Sequence, residues 1–229
     1  MKKVCGILAG AVLALATNVS AITIGAGGTL ETDGFSYSDS GMDTVTMADF
    51  GTGATMSLLL EMAAFAEQNR FGIYGFAGQD SSHVVGEKLE IFTGSDSSVI
   101  STTLVFDSAT GSITNNSTGQ TATIGNTFGF YVTTPENFTF YTQQQLNQDG
   151  GDHFKIFDTR GDTTSDLLGS NLVLALEDLN GLGDADYNDM VIGMAGAAPV
   201  PEPGTMVLLG TALLGLAIYG KRKIKTKLL

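Results

Sequence analysis

The chain has 229 residues, two histidines, one cysteine and a formal net charge of −13 at pH 7. Most of its 11 Lys and Arg residues lie near the two termini, so residues 22–203 hold four cations against 24 acidic side chains, a formal charge of −20. This balance argues against nucleic acid as a partner, because phosphate contacts need clustered cations. Divalent cations suit such a charge, and solubility outside the cell would explain it without a ligand.

The first 21 residues have the order of a secretory signal peptide. The pair Lys2-Lys3 precedes an apolar stretch at residues 4–16 and the small residues Val19 and Ala21. This order predicts export by the Sec machinery and cleavage after Ala21. Cys5 leaves with the signal, so the exported protein has no disulfide and no cysteine metal ligand.

Residues 22–199 are predicted to form one all-β domain, a single jelly-roll-like sandwich. Clusters of Gly, Ser, Thr, Asn and Asp separate short apolar and β-branched runs, which is the pattern of strands joined by tight turns. Strands are predicted at residues 88–93, 103–106, 127–133, 137–142, 154–157 and 171–176. Residues 55–68 fit both periodicities and are predicted to form a strand that leads into a short helical turn.

A short sequence pattern occurs twice within this domain, in two stretches called the echo segments. Residues 69–74 and residues 126–131 share the pattern Asn-x-Phe-Gly-apolar-Tyr. Asn can start a tight turn, and Gly permits a bulge or a close approach of the backbone. The two segments are therefore predicted to be equivalent strand entries of one sandwich.

An acidic loop between two apolar runs carries the main chemical signal. Asp184, Asp186 and Asn188 alternate along it, a spacing that can aim three side-chain oxygens at one point. Calcium takes about six to eight oxygen ligands, and the loop and its flanks offer such a set. The predicted ligands are Glu177, Asp178, Asp184, Asp186, Asn188 and Asp189.

Turn chemistry offers a second interpretation of the same loop. Asp and Asn side chains can bond their own backbone and keep a hairpin loop soluble without any ion. The EF-hand pattern is absent, because Asp189 stands where that pattern has Gly and Ala195 where it has Glu. The density of acids favours an ion, since unrelieved repulsion would destabilise the loop. His153 has no helical His partner; it is a candidate for orienting an acidic ligand without touching the ion.

The last thirty residues form a three-part tail. A short Pro-containing motif is followed by an apolar run at residues 206–219, predicted to be a transmembrane helix, and then by a basic segment. The motif consists of Val200, Pro201, Glu202 and Pro203, and the basic segment contains Lys221, Arg222, Lys223, Lys225 and Lys227. An uncleaved tail anchor would also have this order.

This tail resembles the PEP-CTERM sorting signal in the order and spacing of its parts. The resemblance implies a Gram-negative-type bacterium, recognition by an exosortase, transient residence in the inner membrane, and removal of the helix. The protein would then reach the cell surface or the extracellular matrix.

Residues 177–179 and 184–189 resemble the signature of the domain of unknown function 4114. Upstream, Leu146-Asn147, Asp149-Gly150 and Asp152-His153 extend the resemblance over about residues 71–194. It implies an all-β secreted domain associated with calcium, without an established activity.

These features predict an exported structural or adhesive protein of the cell surface, extracellular matrix or biofilm, stabilised by calcium. The alternative is a calcium-dependent carbohydrate-binding module that would use Tyr141 and Tyr187 against extracellular polysaccharide. A secreted enzyme is the less favoured class, because the chain has no Gly-x-Ser-x-Gly elbow and no cysteine nucleophile. No catalytic residue is predicted.

Overall fold

The computed structural model describes residues 23–25, 28–32, 35–47, 53–61, 68–77, 84–93, 96, 100–160, 167–199 and 211. The predicted signal peptide, the Val200 to Pro203 motif and the basic tail lie outside these ranges, as does all but one residue of the predicted membrane helix. Across the described ranges, no helix is long and apolar enough to span a bilayer.

Sixteen antiparallel strands form the framework of the described chain. In chain order they are β1 (Thr23–Gly25), β2 (Thr29–Thr32), β3 (Phe35–Tyr37), β4 (Val45–Met47), β5 (Gly53–Glu61), β6 (Arg70–Phe76), β7 (Val85–Thr93), β8 (Ser101–Asp107), β9 (Ser112–Asn115), β10 (Thr121–Thr123), β11 (Thr127–Thr133), β12 (Thr139–Tyr141), β13 (Phe154–Asp158), β14 (Leu172–Leu176), β15 (Met190–Ala195) and β16 (Ala197–Pro199). A single turn of 3-10 helix at Gln144–Leu146 follows β12.

The strands form three sheets. The first three strands make a small sheet in the order β1-β2-β3. A seven-stranded sheet has the order β10-β9-β8-β5-β15-β14-β13, and a six-stranded sheet has the order β16-β4-β11-β6-β7, with β12 paired to β11. The prediction of an all-β domain is confirmed.

The strands predicted from the sequence occur at their expected places. The matching elements are β7, β8, β11, β12, β13 and β14. Residues 55–61 lie in β5, which confirms the first half of the prediction for residues 55–68. The helical turn expected after it lies largely outside the described residues.

One apolar core is shared by the two large sheets. Leu174 and Leu176 of β14 belong to the same buried cluster as Phe71 and Ile73 of β6. The alternate β14 residues Val173 and Ala175 face the other way, into a second cluster. Since successive side chains of a strand point to opposite faces, β14 is covered on both sides, and all five of its residues are buried.

The small N-terminal sheet contributes to this second cluster. Leu30 of β2 is fully buried there, beside Phe157 of β13 and Tyr187 of the acidic loop. The acidic loop therefore contacts the part of the domain that follows the predicted signal peptide.

The two echo segments pair directly with each other. β6 and β11 are antiparallel neighbours in which Gly129 lies opposite Tyr74 and Gly72 lies opposite Tyr131. A Cβ added at Gly129 would come within 2.5 Å of the Tyr74 ring, and one added at Gly72 would come within 2.7 Å of the Tyr131 ring. Each glycine thus makes room for the tyrosine of the other segment, which is the close approach expected from the sequence.

Replacing Gly129 by Ala should lower the free energy of unfolding by about 3 kcal/mol, because the Tyr74 ring has to leave its packed position. Urea unfolding of the purified protein measures this change. Gly119→Asn is the control: its φ of +72° suits Asn, nothing lies within 4 Å of an added Cβ, and its effect should stay within about 0.5 kcal/mol. Equal stability of the two variants would contradict the packing described for the paired segments.

Candidate metal centre

The acidic loop closes the hairpin between β14 and β15. Leu176 pairs with Met190 at the base of that hairpin, so residues 177–189 leave and re-enter the sheet at neighbouring positions. Five residues of the loop have positive φ, which coils the chain tightly. They are Gly181, Leu182, Gly183, Ala185 and Tyr187. Three of the five are not glycine, and such backbone strain persists only where other contacts hold it.

Three carboxylates meet inside this coil. Glu177, Asp184 and Asp186 each offer an oxygen, and these oxygens lie within 4.8 Å of one another. Two oxygens on one calcium ion are at most about 4.6 to 5.2 Å apart, twice the usual calcium–oxygen distance, so the donors fit a hard divalent cation. Gly183 leaves this space open, because a Cβ there would lie 3.2 Å from Oε2 of Glu177.

Glu177 carries the electrostatic strain of this group. The residue is only 1% exposed. Burial raises the pKa of Glu177, and the charges of Asp184 and Asp186 raise it further, whereas the Tyr187 N–H, which donates to Oε1 over 2.5 Å, opposes the shift. The described protein groups thus leave negative charge at this point incompletely balanced, which a bound cation would relieve.

Asp178 and Asp189 lie in a separate cluster. The backbone N–H of Asp178 donates to Oδ2 of Asp189 over 2.9 Å, and the Asn69 amide donates to Oδ2 of Asp178 over 2.6 Å. Burial raises the pKa of Asp189 to about 7, and the charges of Asp178 and Glu177 act in the same direction. The six predicted ligands therefore do not converge on one point.

Asn188 bonds to another residue of the same loop. Its backbone N–H donates to Oδ1 of Asp186 over 3.1 Å, and its side-chain amide donates to Oδ2 of the same carboxylate. This is the Asx-type bonding of a turn, and it orients Asp186. Turn chemistry and a carboxylate centre are thus both present in the loop.

His153 connects the loop to the neighbouring strand. Its ring is fully buried and stacks on Phe140 with centroids 3.6 Å apart. Nδ1 lies 2.9 Å from the Glu177 carbonyl oxygen and Nε2 lies 3.0 Å from Oδ2 of Asp149, while the Glu177 N–H donates to the His153 carbonyl over 3.0 Å. The histidine therefore positions Glu177 through its backbone, not through its carboxylate.

Asp149 ties three segments together. Its carboxylate accepts hydrogen bonds from the backbone N–H groups of Gly151, over 2.9 Å, and Gly181, over 2.7 Å, besides contacting His153. Burial opposes ionisation, but the two N–H donors and the histidine outweigh it, so the pKa of Asp149 falls to about 2. Sequence reasoning did not place Asp149 or Asn69 at the site.

Tyr187 anchors the loop to the rest of the domain. It is 6% exposed, its hydroxyl donates to the Asp152 carbonyl over 2.8 Å, and the Lys155 ammonium lies 5.0 Å from the ring centroid. A Cβ at Gly28, next to β2, would lie 2.9 Å from the ring. A ring buried in this way has no exposed face for stacking on a sugar.

Two family models match the chain, one over the region of the site and one over the C-terminal tail. Residues 95–197 match the family described as Domain of unknown function (DUF4114), and residues 199–223 match the PEP-CTERM protein-sorting motif. The chain carries a PEP-CTERM sorting motif, and its domain resembles DUF4114. The resemblance inferred from the sequence began earlier, at about residue 71. No curated protein and no solved structure matches the chain.

The sorting motif assigns the protein to the exported substrates of exosortase, which are processed at the membrane. The DUF4114 match includes the acidic loop, His153 and Asp149. Asn69 lies before the matched span, so one partner of the loop comes from outside the region that defines the family match.

Replacing Asp149 by Ala should lower the free energy of unfolding by about 2 kcal/mol at pH 7, because bonds to a charged acceptor are lost. The folded pKa of about 2 lies below the ordinary value of 3.8, so this stabilisation is complete above that ordinary value and is lost as the pH falls through 2. Urea unfolding between pH 7 and pH 2 should show the two proteins converging. The control Glu136→Ala removes an exposed acid and should have little effect at any pH. A gap that stays constant down to pH 2 would contradict the role of the ionised carboxylate.

Proposed function

We propose that the DUF4114 domain is a calcium-stabilised structural or adhesive module that the sorting motif delivers to the cell surface or extracellular matrix. The observation that carries this proposal is the convergence of Glu177, Asp184 and Asp186 on one space inside a strained loop. Calcium would hold that loop closed. The ion would be bound by the domain as a structural component, not as part of a reaction centre.

The contacts of Tyr187 support a structural role for the ion. Its N–H bonds to a proposed ligand, Glu177, and its ring packs beside the small N-terminal sheet. Ordering the loop would therefore also hold Tyr187 and, through it, the sheet formed by β1, β2 and β3. A loop left open by charge repulsion would weaken the same contacts.

The composition of the exported part supports dependence on an ion. No disulfide can form there, and the acids outnumber the cations by 24 to four. A ligand that binds the folded state and not the unfolded chain adds to stability. We expect the domain to reach full stability only outside the cytoplasm, where calcium is available.

The polar groups of the site support a role that is not catalytic. Asp149, His153 and Tyr187 each bond a backbone group of the loop or of an adjoining segment. These contacts position the backbone. The polar atoms that a reaction would need are therefore already hydrogen-bonded to the chain itself. The module would act by presenting a stable surface in the matrix.

Thermal unfolding of the purified protein with calcium and with chelator tests this proposal. Calcium at ten times its dissociation constant should add about 1.4 kcal/mol, a rise of about 3 to 6 °C in Tm. Asp184→Asn should reduce that rise, and in chelator it should be at least as stable as the wild type, because one repelling charge is gone. Asp107→Asn makes the same charge change at an exposed turn and should keep the full rise. Identical curves with calcium and chelator would refute calcium stabilisation.

A further inference from the structure

The residues that follow β14 send two acidic side chains to opposite sides of one sheet. Val173 and Ala175 face the cluster that contains Tyr187, whereas Leu174 and Leu176 face the core between the large sheets. Continuing this alternation places Glu177 on the Tyr187 side and Asp178 on the inner side. The hydrogen bonds agree, since Glu177 accepts from Tyr187 and Asp178 accepts from Asn69.

The inner side holds two buried oxygen atoms for which the described residues supply no partner. Asn69 is 0% exposed and Asp178 is 1% exposed. Nδ2 of Asn69 donates to Oδ2 of Asp178 over 2.6 Å, but among the described residues neither Oδ1 of Asn69 nor Oδ1 of Asp178 has a hydrogen-bond partner. An unpaired buried acceptor is costly, and a buried carboxylate more so, so these two oxygens need a hydrogen-bond donor or a cation.

In the part of the chain that the structure describes, no Lys or Arg side chain pairs with Asp178. Arg70 follows Asn69 in the chain, but its guanidinium pairs with Glu90 over 3.1 Å on the exposed part of β6. A proton held on Asp189 would ease the repulsion with Asp178. It would leave the Asn69 oxygen without a partner, because an amide acceptor needs its own donor or a cation.

We propose that Asn69 and Asp178 belong to a second binding site for a hard divalent cation, separate from the Glu177 centre. Its third protein ligand would be Asp189, whose carboxylate lies beside Asp178 because Oδ2 accepts the Asp178 N–H over 2.9 Å. Two carboxylates and an amide oxygen are the ligand types that calcium and magnesium prefer, and water or backbone carbonyls complete the coordination in such sites. This inference goes beyond the proposed function, which requires only the centre of Glu177, Asp184 and Asp186, the outer centre.

The second site would join the two large sheets. Asn69 immediately precedes β6 of the six-stranded sheet, and Asp178 and Asp189 lie at the two ends of the loop between β14 and β15 of the seven-stranded sheet. Asn69 and Asp178 are 109 residues apart in the chain, so an ion between them would stabilise a contact between distant segments. The outer ion would instead act within the loop.

Isothermal titration of the full chain in non-ionic detergent with calcium chloride, after removal of bound metal, counts the sites. The wild type should bind two ions. Asp184→Asn should lose the outer one, and Asn69→Leu should lose the inner one. A wild type that binds one ion, with the same stoichiometry in Asn69→Leu, or two ions that both persist in Asn69→Leu, would overturn the second site and leave the proposed function intact. No binding at all would overturn both.

Asn69→Asp separates ligand loss from misfolding. If Asn69 is a ligand, a carboxylate in its place adds repulsion without calcium and a stronger ligand with it. The Tm of this variant should fall below that of the wild type in chelator and should rise by more than the wild type on addition of calcium. A deficit that is equal with and without calcium would show that Asn69 is only a hydrogen-bond partner, with water filling the space, and would overturn the inference.

Discussion

The burial of neighbouring carboxylates at the end of β14 is the constraint on which the site depends. Glu177 and Asp178 are each 1% exposed, in a domain that has few cations to pair with them. Burying an acidic group without a counter-charge is unfavourable unless the group is protonated, hydrogen-bonded or bound to a metal. The two residues meet this constraint on opposite faces of the sheet, with different partners.

The fold supplies those partners from far along the chain. β14 lies between β13 and β15, so its end is surrounded by the segment that carries His153 and by the start of β15. The inner face brings in Asn69 from the other large sheet, and the outer face brings in Tyr187 and the small N-terminal sheet. The loop is therefore a junction of all three sheets, and charge changes there affect more than local turn geometry.

The sequence was sufficient for the parts of this arrangement that are local. Alternating apolar residues and turn-forming clusters predicted strands such as β11 and β14 because those signals lie within the strands themselves. The spacing of Asp184 and Asp186 likewise indicated that their oxygens could meet, and Glu177 joins them across a single loop. Short-range patterns thus identified the all-β class and the outer carboxylates.

The remaining features depend on pairing register, which a single sequence does not contain. The shared pattern of the echo segments is visible in the sequence. That Gly129 makes room for the Tyr74 ring follows only from the pairing of β6 with β11. The division of Glu177 from Asp178 requires knowing which face of β14 covers the core. The role of Asn69 also depends on tertiary structure, since only the packing of the two sheets places it beside Asp178.

The most direct test of the account is anomalous X-ray diffraction from crystals of the protein grown in calcium. We predict an anomalous peak about 2.3 to 2.6 Å from carboxylate oxygens of Glu177, Asp184 and Asp186. Full occupancy there would establish that a cation resolves the repulsion at the end of β14. Water or an empty space at that position, in crystals with saturating calcium, would contradict the account and leave the loop as a turn held by hydrogen bonds alone.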